Sequence, residues 1–429
     1  MTMQEFDLVL KNCLAVQKGQ FLKRNIGIKN GLIGKIALET EKLNTINTID
    51  CKGSFLIPGL IDEHVHFRFP GMTHKEDWAS ATRAAISGGV TTVLDMPNTI
   101  PPLTSRHLIE EKIVAVKKDS LCNFGFHFGA TTDNEAELRR LEGVSSIKVF
   151  MGSSTGSLLV KDKKSLERIF KIAKKKDLLV TVHAEDEDLI AANLKKAKWD
   201  AKNSAKFHNE IRPPLSEKIA IEKALDLQKK IGNRIHFLHV STEDGLSLIG
   251  EAKKERPGIS CEVTPHHLFL SEENIEELGN FGKINPPLRS RQDQKALWKG
   301  IEQGIVDCIG TDHAPHTIEE KQKPYFEAPS GVPGIETMLP LLLDAAAKEK
   351  ISLARIVELC CENPARIFGL ENKGKVMEGF DADLALVNLN GKTTIKNENL
   401  KTKCKWSPFN GLELQGKIEK VFIAGKEAI

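Results

Sequence analysis

The sequence contains no CxxC cysteine pair and no long apolar run. Its eight cysteines include no CxxC spacing, which argues against a zinc knuckle or a disulfide framework and for small buried side chains in a reducing compartment. The N-terminal residues MTMQEFDLVLKN show no basic segment followed by an apolar one, and no run approaches the roughly 18 apolar residues of a membrane helix. These absences predict a soluble, cytoplasmic protein that does not bind membranes.

The chain also has little excess of positive over negative residues, and its net charge is only +3. A weakly charged protein is a poor candidate for nucleic-acid binding, and 40% hydrophobic residues exclude a disordered chain. A chain of 429 residues exceeds the usual single-domain range unless its main domain is an α/β barrel. We therefore expect one large domain, one smaller domain and a small-molecule substrate.

Short β-branched or aromatic runs alternate with amphipathic helical patterns from residue 54 onward. The eight strand-like runs are SFLIPGLIDEH (54–64), TTVLDM (91–96), NFGFHFGA (123–130), SIKVFM (146–151), LLVTVHA (178–184), IHFLHV (235–240), ISCEVT (259–264) and VDCIGTD (306–312). Helical patterns between them include 75–89, 105–119, 163–177, 214–232, 243–257 and 291–304. Such alternation predicts a parallel sheet, and eight units predict a (β/α)8 TIM barrel over residues 54–374.

The two ends of the chain have a different pattern. Residues 1–53 and 375–429 show short alternating runs broken by Asn-Gly and Gly, which is typical of β-hairpins. We interpret these segments as one small β-sandwich domain built from both termini. The Pro- and Gly-containing stretch at 324–334 predicts a loop after the last barrel strand.

The stretch DEHVHFRFPG (62–71) places two histidines and an arginine at alternate positions. In a β-strand, His64, His66 and Arg68 would share one face. An isolated HxH pair is a weak motif, and two surface histidines near a turn are the simpler alternative.

Four further predicted strands also carry a polar residue, three of them at the strand end, so the predicted site rests on more than one motif. These residues are Lys148, His183, His239 and Asp312. In a barrel they would meet His64 and His66 at one mouth, where the catalytic residues of such folds lie. Five His and Asp ligands exceed the roughly three that one catalytic zinc takes, which favours two metals.

Lys148 is the unusual member of this set. An ammonium beside two dications would be repelled, so the lysine must be neutral. A neutral lysine can take up carbon dioxide, and the resulting carboxylate could bridge two metals. The alternative is a Lys148 that points outward and pairs with a helix carboxylate.

Several long motifs resemble those of the dihydroorotases of the longer-sequence type, within the amidohydrolase superfamily. They are IDEHVHFRFPGMTHKEDWASATRAAISGGVTTVLDMPNTIPP (61–102), IKVFMGSSTG (147–156), TPHHLFLS (264–271), INPPLRSRQDQKALW (284–298), GTDHAPHT (310–317), GIETMLPLLL (334–343) and WSPFNGLELQGKIEKVFIAGK (406–426). The resemblance covers almost the whole chain.

The resemblance implies a set of site residues. His64, His66 and Asp312 would hold one zinc ion, His183 and His239 would hold a second, and N-carboxylated Lys148 would bridge them. The implied substrate-binding residues are His66, Arg68, Asn98, Asn285, His316, Ser330 and Gly331. An arginine suits this role because its forked donors match a carboxylate.

The resemblance also implies an activity, the reversible cyclisation of N-carbamoyl-L-aspartate to L-dihydroorotate and water in pyrimidine (UMP) synthesis. In the hydrolytic direction a zinc-bridging hydroxide would attack the ring amide carbonyl, and Asp312 would carry its proton to the departing nitrogen. The resemblance leaves open a homodimer or an association with a transcarbamoylase.

Two other functions remain alternatives. Hydantoinases and allantoinases share the metals and act on other cyclic ureides, but a neutral hydantoin gives Arg68 no charge to neutralise. A non-catalytic scaffold subunit is the second alternative, although such proteins typically lose metal ligands and this sequence has the full set.

Overall fold

The computed structural model describes residues 5–153, 158–197 and 205–429. Residues 154–156 of the IKVFMGSSTG motif lie outside the described residues. The N-terminal segment forms seven strands: β1 (Glu5–Phe6), β2 (Leu8–Gln17), β3 (Gln20–Lys29), β4 (Leu32–Leu38), β5 (Asn44–Thr45), β6 (Thr48–Asp50) and β7 (Phe55–Pro58). These strands agree in type and position with the hairpins predicted for this segment.

The next eight strands form the predicted parallel barrel. They are β8 (Leu60–Val65), β9 (Val90–Asp95), β10 (Asn123–Gly129), β11 (Ser146–Phe150), β12 (Val180–His183), β13 (Ile235–Phe237), β14 (Ile259–Val263) and β15 (Cys308–Ile309), and each pairs with the next in chain order. A parallel bridge between Val65 and His313 joins the last strand region to the first. The His66 N–H donates to the His313 carbonyl at 2.8 Å across this seam, so the two candidate metal-ligand segments at the ends of the sheet become neighbours.

Helices cover the barrel strands. They are α1 (Trp78–Ser87), α2 (Arg106–Val116), α3 (Glu135–Arg140), α4 (Lys163–Lys176), α5 (Glu187–Lys196), α6 (His208–Ile211), α7 (Pro214–Ile231), α8 (Glu243–Glu255), α9 (Pro265–Phe269), α10 (Ile275–Leu278), α11 (Arg291–Glu302), α12 (Ile318–Lys321), α13 (Met338–Ala347), α14 (Leu353–Val357) and α15 (Asn363–Phe368). Several begin at a side chain that accepts a hydrogen bond from the N–H three residues later, as Asp77, Asp162 and Thr242 do. These caps satisfy amide groups that the first helical turn leaves unpaired.

The C-terminal strands complete a mixed sheet with the N-terminal ones. β16 (Leu384–Thr394), β17 (Glu413–Ile423) and β18 (Lys426–Glu427) extend the strand order β18-β17-β16-β7-β2-β3-β4, β6 pairs with β2, and β1 pairs with β5 in a separate two-stranded sheet. The prediction of a barrel plus a β-structure built from both termini is confirmed.

The first predicted barrel strand is shorter in the structure than predicted. The run SFLIPGLIDEH divides at Gly59, so that β7 belongs to the terminal sheet and β8 alone enters the barrel. A Cβ on Gly59 would lie 2.1 Å from Cγ2 of Thr91, so only glycine lets the chain pass this closely between the two sheets.

Buried cysteines are confirmed, since all eight are free and buried. Within the three described ranges, no helix is long and apolar enough to cross a membrane.

Candidate metal centre and substrate site

The two histidines of the HxH motif converge on Asp312. Nε2 of His64 lies 3.3 Å and Nε2 of His66 lies 2.9 Å from Oδ1 of Asp312. Ligand atoms of His64, His239 and Asp312 all lie within 4.8 Å of one another. The first, sixth and eighth barrel strands therefore bring three candidate ligands to one point.

The opposite ring nitrogens of these histidines are held by oxygen acceptors. Nδ1 of His64 lies 2.5 Å from Oε1 of Glu262, and Nδ1 of His66 lies 2.7 Å from Oδ1 of Asn98. An acceptor at Nδ1 places the ring proton there and leaves the Nε2 lone pair directed at Asp312. This is the arrangement that a metal-ligating imidazole requires.

His183 and His239 form the second half of the cluster. Nδ1 of His183 lies 2.9 Å from Nε2 of His239, while Nε2 of His183 contacts Oε2 of Glu185 at 2.9 Å. Arg212 forms an ion pair with Glu185 and fixes that carboxylate. The proton of His183 is thereby assigned to Nε2, and its Nδ1 lone pair faces the same small space as His239.

Lys148 lies in the middle of β11 with its side chain directed into the barrel. The residue is 1% exposed, and its Nζ has no hydrogen-bond partner among the described residues. Burial lowers the pKa of Lys148 to about 7, against the opposing effect of Asp312 and Glu262. The outward-pointing alternative for Lys148 is therefore wrong, and an unpartnered, readily neutralised amine fits N-carboxylation.

The electrostatics of the cluster favour neutral imidazoles beside an ionised carboxylate. Burial lowers the pKa of His66 to about 4 and also lowers the pKa values of His183 and His239. Burial by itself would raise the pKa of Asp312, but His64, His66 and His239 hold it well below its usual range. Neutral nitrogens and one carboxylate are the donor set that zinc takes.

Acid should remove metal from this cluster. Zinc binds the deprotonated forms of histidine and aspartate, so bound zinc should be lost as the pH falls. Zinc content after dialysis across a pH series measures this, and a zinc content that does not change on acidification would contradict it.

Backbone geometry at the strand ends differs from the simple alternation predicted for DEHVHFRFPG. β8 ends at Val65, and Arg68 has a φ of 59°, in the left-handed region. His239 and Asp312 also have positive φ values, 39° and 45°. Non-glycine residues adopt this conformation uncommonly, in turns and at functional sites. The strand alternation predicted for His64, His66 and Arg68 therefore does not extend to Arg68.

Arg68 reaches a second predicted residue, His316. Its Nε donates to the Pro315 carbonyl at 3.1 Å, and its Nη2 lies 3.1 Å from Nε2 of His316. Lys75 Nζ lies 3.0 Å from Nδ1 of His316. Both cations can only donate, so a neutral ring can accept from just one of them, and the Ser330 carbonyl beside Nε2 favours the ring proton there.

The Ser330 carbonyl and Gly331 complete this side of the site. Nε2 of His316 lies 3.1 Å from the carbonyl oxygen of Ser330. Gly331 has a φ of 140°, and a Cβ there would lie 2.6 Å from the Ala314 carbonyl and 3.1 Å from Nε2 of His316. The structure thus brings together four predicted substrate residues, Arg68, His316, Ser330 and Gly331.

The two predicted asparagines have separate surroundings. Asn98 orients His66, as described above. Oδ1 of Asn285 lies 2.9 Å from Nε2 of His208, whose Nδ1 contacts the Tyr325 hydroxyl at 2.6 Å.

Sequence reasoning missed four residues that orient the predicted ones: Glu185, His208, Glu262 and Lys75. Glu262 had a usable signal, because a charged residue in the apolar run ISCEV must be buried with a partner. Glu185 follows His183 by two positions. No pattern in the sequence marks Lys75 or His208.

Comparisons with known proteins identify the family of this chain. The sequence profile of the amidohydrolase family matches residues 55–428. The chain is 40% identical to a dihydroorotase of Methanosarcina mazei, over 95% of this chain and 91% of the relative, and 38% identical to a dihydroorotase of Halobacterium salinarum, over 90% and 92%.

Two similar solved structures are named hydantoinase or dihydropyrimidinase, not dihydroorotase. An L-hydantoinase (dihydropyrimidinase) from Arthrobacter aurescens superposes with a TM-score of 0.95 at 32% identity, covering 98% of this chain and 96% of that one. A dihydropyrimidinase from Brevibacillus agri gives a TM-score of 0.92 at 27% identity, covering 98% and 94%. The chain therefore belongs to the amidohydrolase family.

Proposed function

We propose that the protein is a zinc-dependent dihydroorotase that interconverts N-carbamoyl-L-aspartate and L-dihydroorotate in pyrimidine synthesis. One observation carries the choice of substrate: Arg68 is a buried guanidinium beside the metal centre, and no described carboxylate forms an ion pair with it. Asp312, Asp95 and Glu320 act on this charge from beyond ion-pair distance, and a buried cation with no directly paired counter-charge is costly. A substrate that brings its own carboxylate would supply the missing charge.

His316 lies beside the Arg68 guanidinium, with its Nε2 3.1 Å from Nη2. The Ser330 carbonyl lies 3.1 Å from the same Nε2, so the guanidinium N–H groups are the donors that a substrate carboxylate would meet first. Lys75, 3.0 Å from His316, adds a second cation, although Glu320 pairs with it at 3.0 Å.

Six further residues would hold the metals and transfer the proton. His64, His66, His183, His239 and Asp312 would hold two zinc ions, and carboxylated Lys148 would bridge them. When bound, the ions supply Lewis-acid chemistry and lower the pKa of water. In hydrolysis Asp312 accepts the proton of the water that adds to the ring carbonyl. It then gives that proton to the ring nitrogen as the C–N bond breaks.

A hydantoinase or dihydropyrimidinase is the second candidate, and it is favoured by the TM-score of 0.95 with the Arthrobacter aurescens enzyme. The enzyme names hydantoinase and dihydropyrimidinase refer to rings that need no carboxylate recognition. The Arg68 site has no evident purpose in such an enzyme, so we rank this function second.

Arg68→Ala tests the proposal through substrate selectivity. Loss of a charge-assisted hydrogen bond costs about 1.5–3 kcal/mol, so kcat/KM for dihydroorotate should fall by about ten- to a hundredfold. Dihydrouracil has the same ring without the carboxylate, and its kcat/KM should stay within about threefold of the wild-type value. Arg68→Lys should not restore activity, because lysine lacks the planar fork.

Equal losses on the two rings would contradict carboxylate recognition by Arg68. Zinc content provides the control, since Arg68 makes no described contact with a candidate ligand and the variant should keep its metal.

A further inference from the structure

Lys321 binds the main chain of the loop that carries Ser330 and Gly331. Its Nζ donates to the carbonyls of Pro329 at 2.9 Å, Gly331 at 3.0 Å and Lys283 at 3.1 Å. The side chain is 1% exposed. An ammonium has three N–H donors, so every donor of this buried cation is used on main-chain oxygen.

The pattern of these acceptors determines where the Ser330 carbonyl points. Lys321 Nζ donates to the carbonyls of Pro329 and Gly331, on both sides of Ser330. The Ser330 carbonyl itself lies 3.1 Å from Nε2 of His316. The Gly331 N–H is also held, by the Lys283 carbonyl at 2.9 Å. The loop is thus pinned on one side, and Ser330 faces the substrate site on the other.

Trp406 holds His316, the residue whose ring contacts the Ser330 carbonyl. Its indole N–H donates to the His316 carbonyl at 2.7 Å, and the residue is 3% exposed. The Lys321 Nζ lies 5.7 Å from the centre of the Trp406 ring, within the range of a cation–π interaction. One lysine and one tryptophan therefore fix both the loop and the main chain of His316.

We propose that Lys321 and Trp406 are positioning residues for substrate recognition, which hold the Ser330–Gly331 backbone and His316 at the spacing that receives the substrate. The inference rests on the proposed function, because it takes these groups as the substrate side of the site. Neither residue has a described hydrogen bond to a candidate metal ligand. Their loss should therefore weaken substrate binding while leaving the metals in place.

Lys321→Met tests this with little change in side-chain length. Misplacing a binding group by about 1 Å can cost about a hundredfold, so we expect KM for dihydroorotate to rise by about ten- to a hundredfold. The zinc content should be unchanged and kcat should change by less than about threefold. Lys253→Met is the control, since Lys253 Nζ also donates to a main-chain carbonyl, that of Ile305 at 2.7 Å, and pairs with Asp307 at 2.7 Å, near the N-terminal end of β15. Its KM should equal that of the wild type.

Trp406→Phe provides an independent test if Lys321→Met fails to fold. It removes only the N–H and keeps a ring, and KM should rise by about tenfold. Trp298→Phe is its control, because Trp298 Nε1 donates to the Leu268 carbonyl at 2.8 Å by the same chemistry. Unchanged KM in a folded, zinc-loaded Lys321→Met or Trp406→Phe protein would overturn the inference. A wild-type protein that prefers a neutral ring would instead overturn the proposed function, and the same KM comparison on that ring would still decide the role of Lys321.

Discussion

Asp312→Asn is expected to abolish both directions of the reaction while the protein keeps part of its metal. An asparagine oxygen can still contact zinc, but the amide cannot accept a proton from the attacking water. General acid–base catalysis contributes about 10²- to 10⁴-fold, so kcat should fall by at least about a hundredfold in each direction. Steady-state rates for hydrolysis and cyclisation, with zinc content measured on the same samples, give the result.

The pH profiles of the wild-type protein supply a second measure of Asp312. Hydrolysis begins with the ionised carboxylate and should accelerate as pH rises, whereas cyclisation begins with the protonated form and should accelerate as pH falls. In the metal-loaded site this titration belongs to Asp312 and its metal-associated surroundings together. Substantial turnover of Asp312→Asn with the wild-type profile would leave Asp312 as a ligand only.

Lys148→Ala should have an effect of similar size, because it removes the proposed bridge between the two metals. We expect loss of about two or more orders of magnitude in kcat, together with a lower zinc content. Formate, acetate or bicarbonate should restore part of the activity, since a small carboxylic acid fits where the carboxylated side chain would lie. Rescue measured against acid concentration tests this directly.

Intact mass provides the complementary evidence for Lys148. A wild-type protein measured under native conditions should carry the mass of one added carbon dioxide, and Lys148→Ala should not. Lys161→Ala is a suitable control, because Lys161 lies at the surface in an ion pair with Asp188 and should retain wild-type mass shift and activity. A fully active, zinc-loaded protein with an unmodified Lys148 would refute the bridge.

Most of the barrel could be predicted from the sequence, and the reasons are local. Eight apolar runs separated by helical patterns specify a parallel closed sheet, and all eight appear as strands β8 to β15. The division of the first run at Gly59 could not be predicted, because it depends on the approach of Thr91 from the neighbouring strand. Hydrophobic pattern alone does not distinguish one long buried strand from two short ones.

The candidate site was predictable where a residue lies near the C-terminal end of a barrel strand. His64, His183, His239 and Asp312 met this condition, and the structure brings them together. Arg68 did not, since its left-handed φ of 59° redirects it toward His316. The residues that orient the site come from distant segments, as Trp406 does, and their contacts arise only on folding.

The sequence relatives and the structural neighbours point to different substrates. The relatives named above are dihydroorotases at 38–40% identity, whereas the solved structures named above are hydantoinases or dihydropyrimidinases at 27–32% identity. A shared fold explains the structural similarity without a shared substrate. In the proposed function, substrate discrimination comes from the groups beside the candidate metal centre, chiefly Arg68 and His316.

The most direct test of dihydroorotase function is the ratio of kcat/KM for L-dihydroorotate to kcat/KM for hydantoin, measured on purified, zinc-loaded wild-type protein. A carboxylate that completes the Arg68 site should favour dihydroorotate by at least about a hundredfold, and the same protein should form dihydroorotate from N-carbamoyl-L-aspartate. Equal or greater efficiency on hydantoin, with no cyclisation of N-carbamoyl-L-aspartate, would contradict the account.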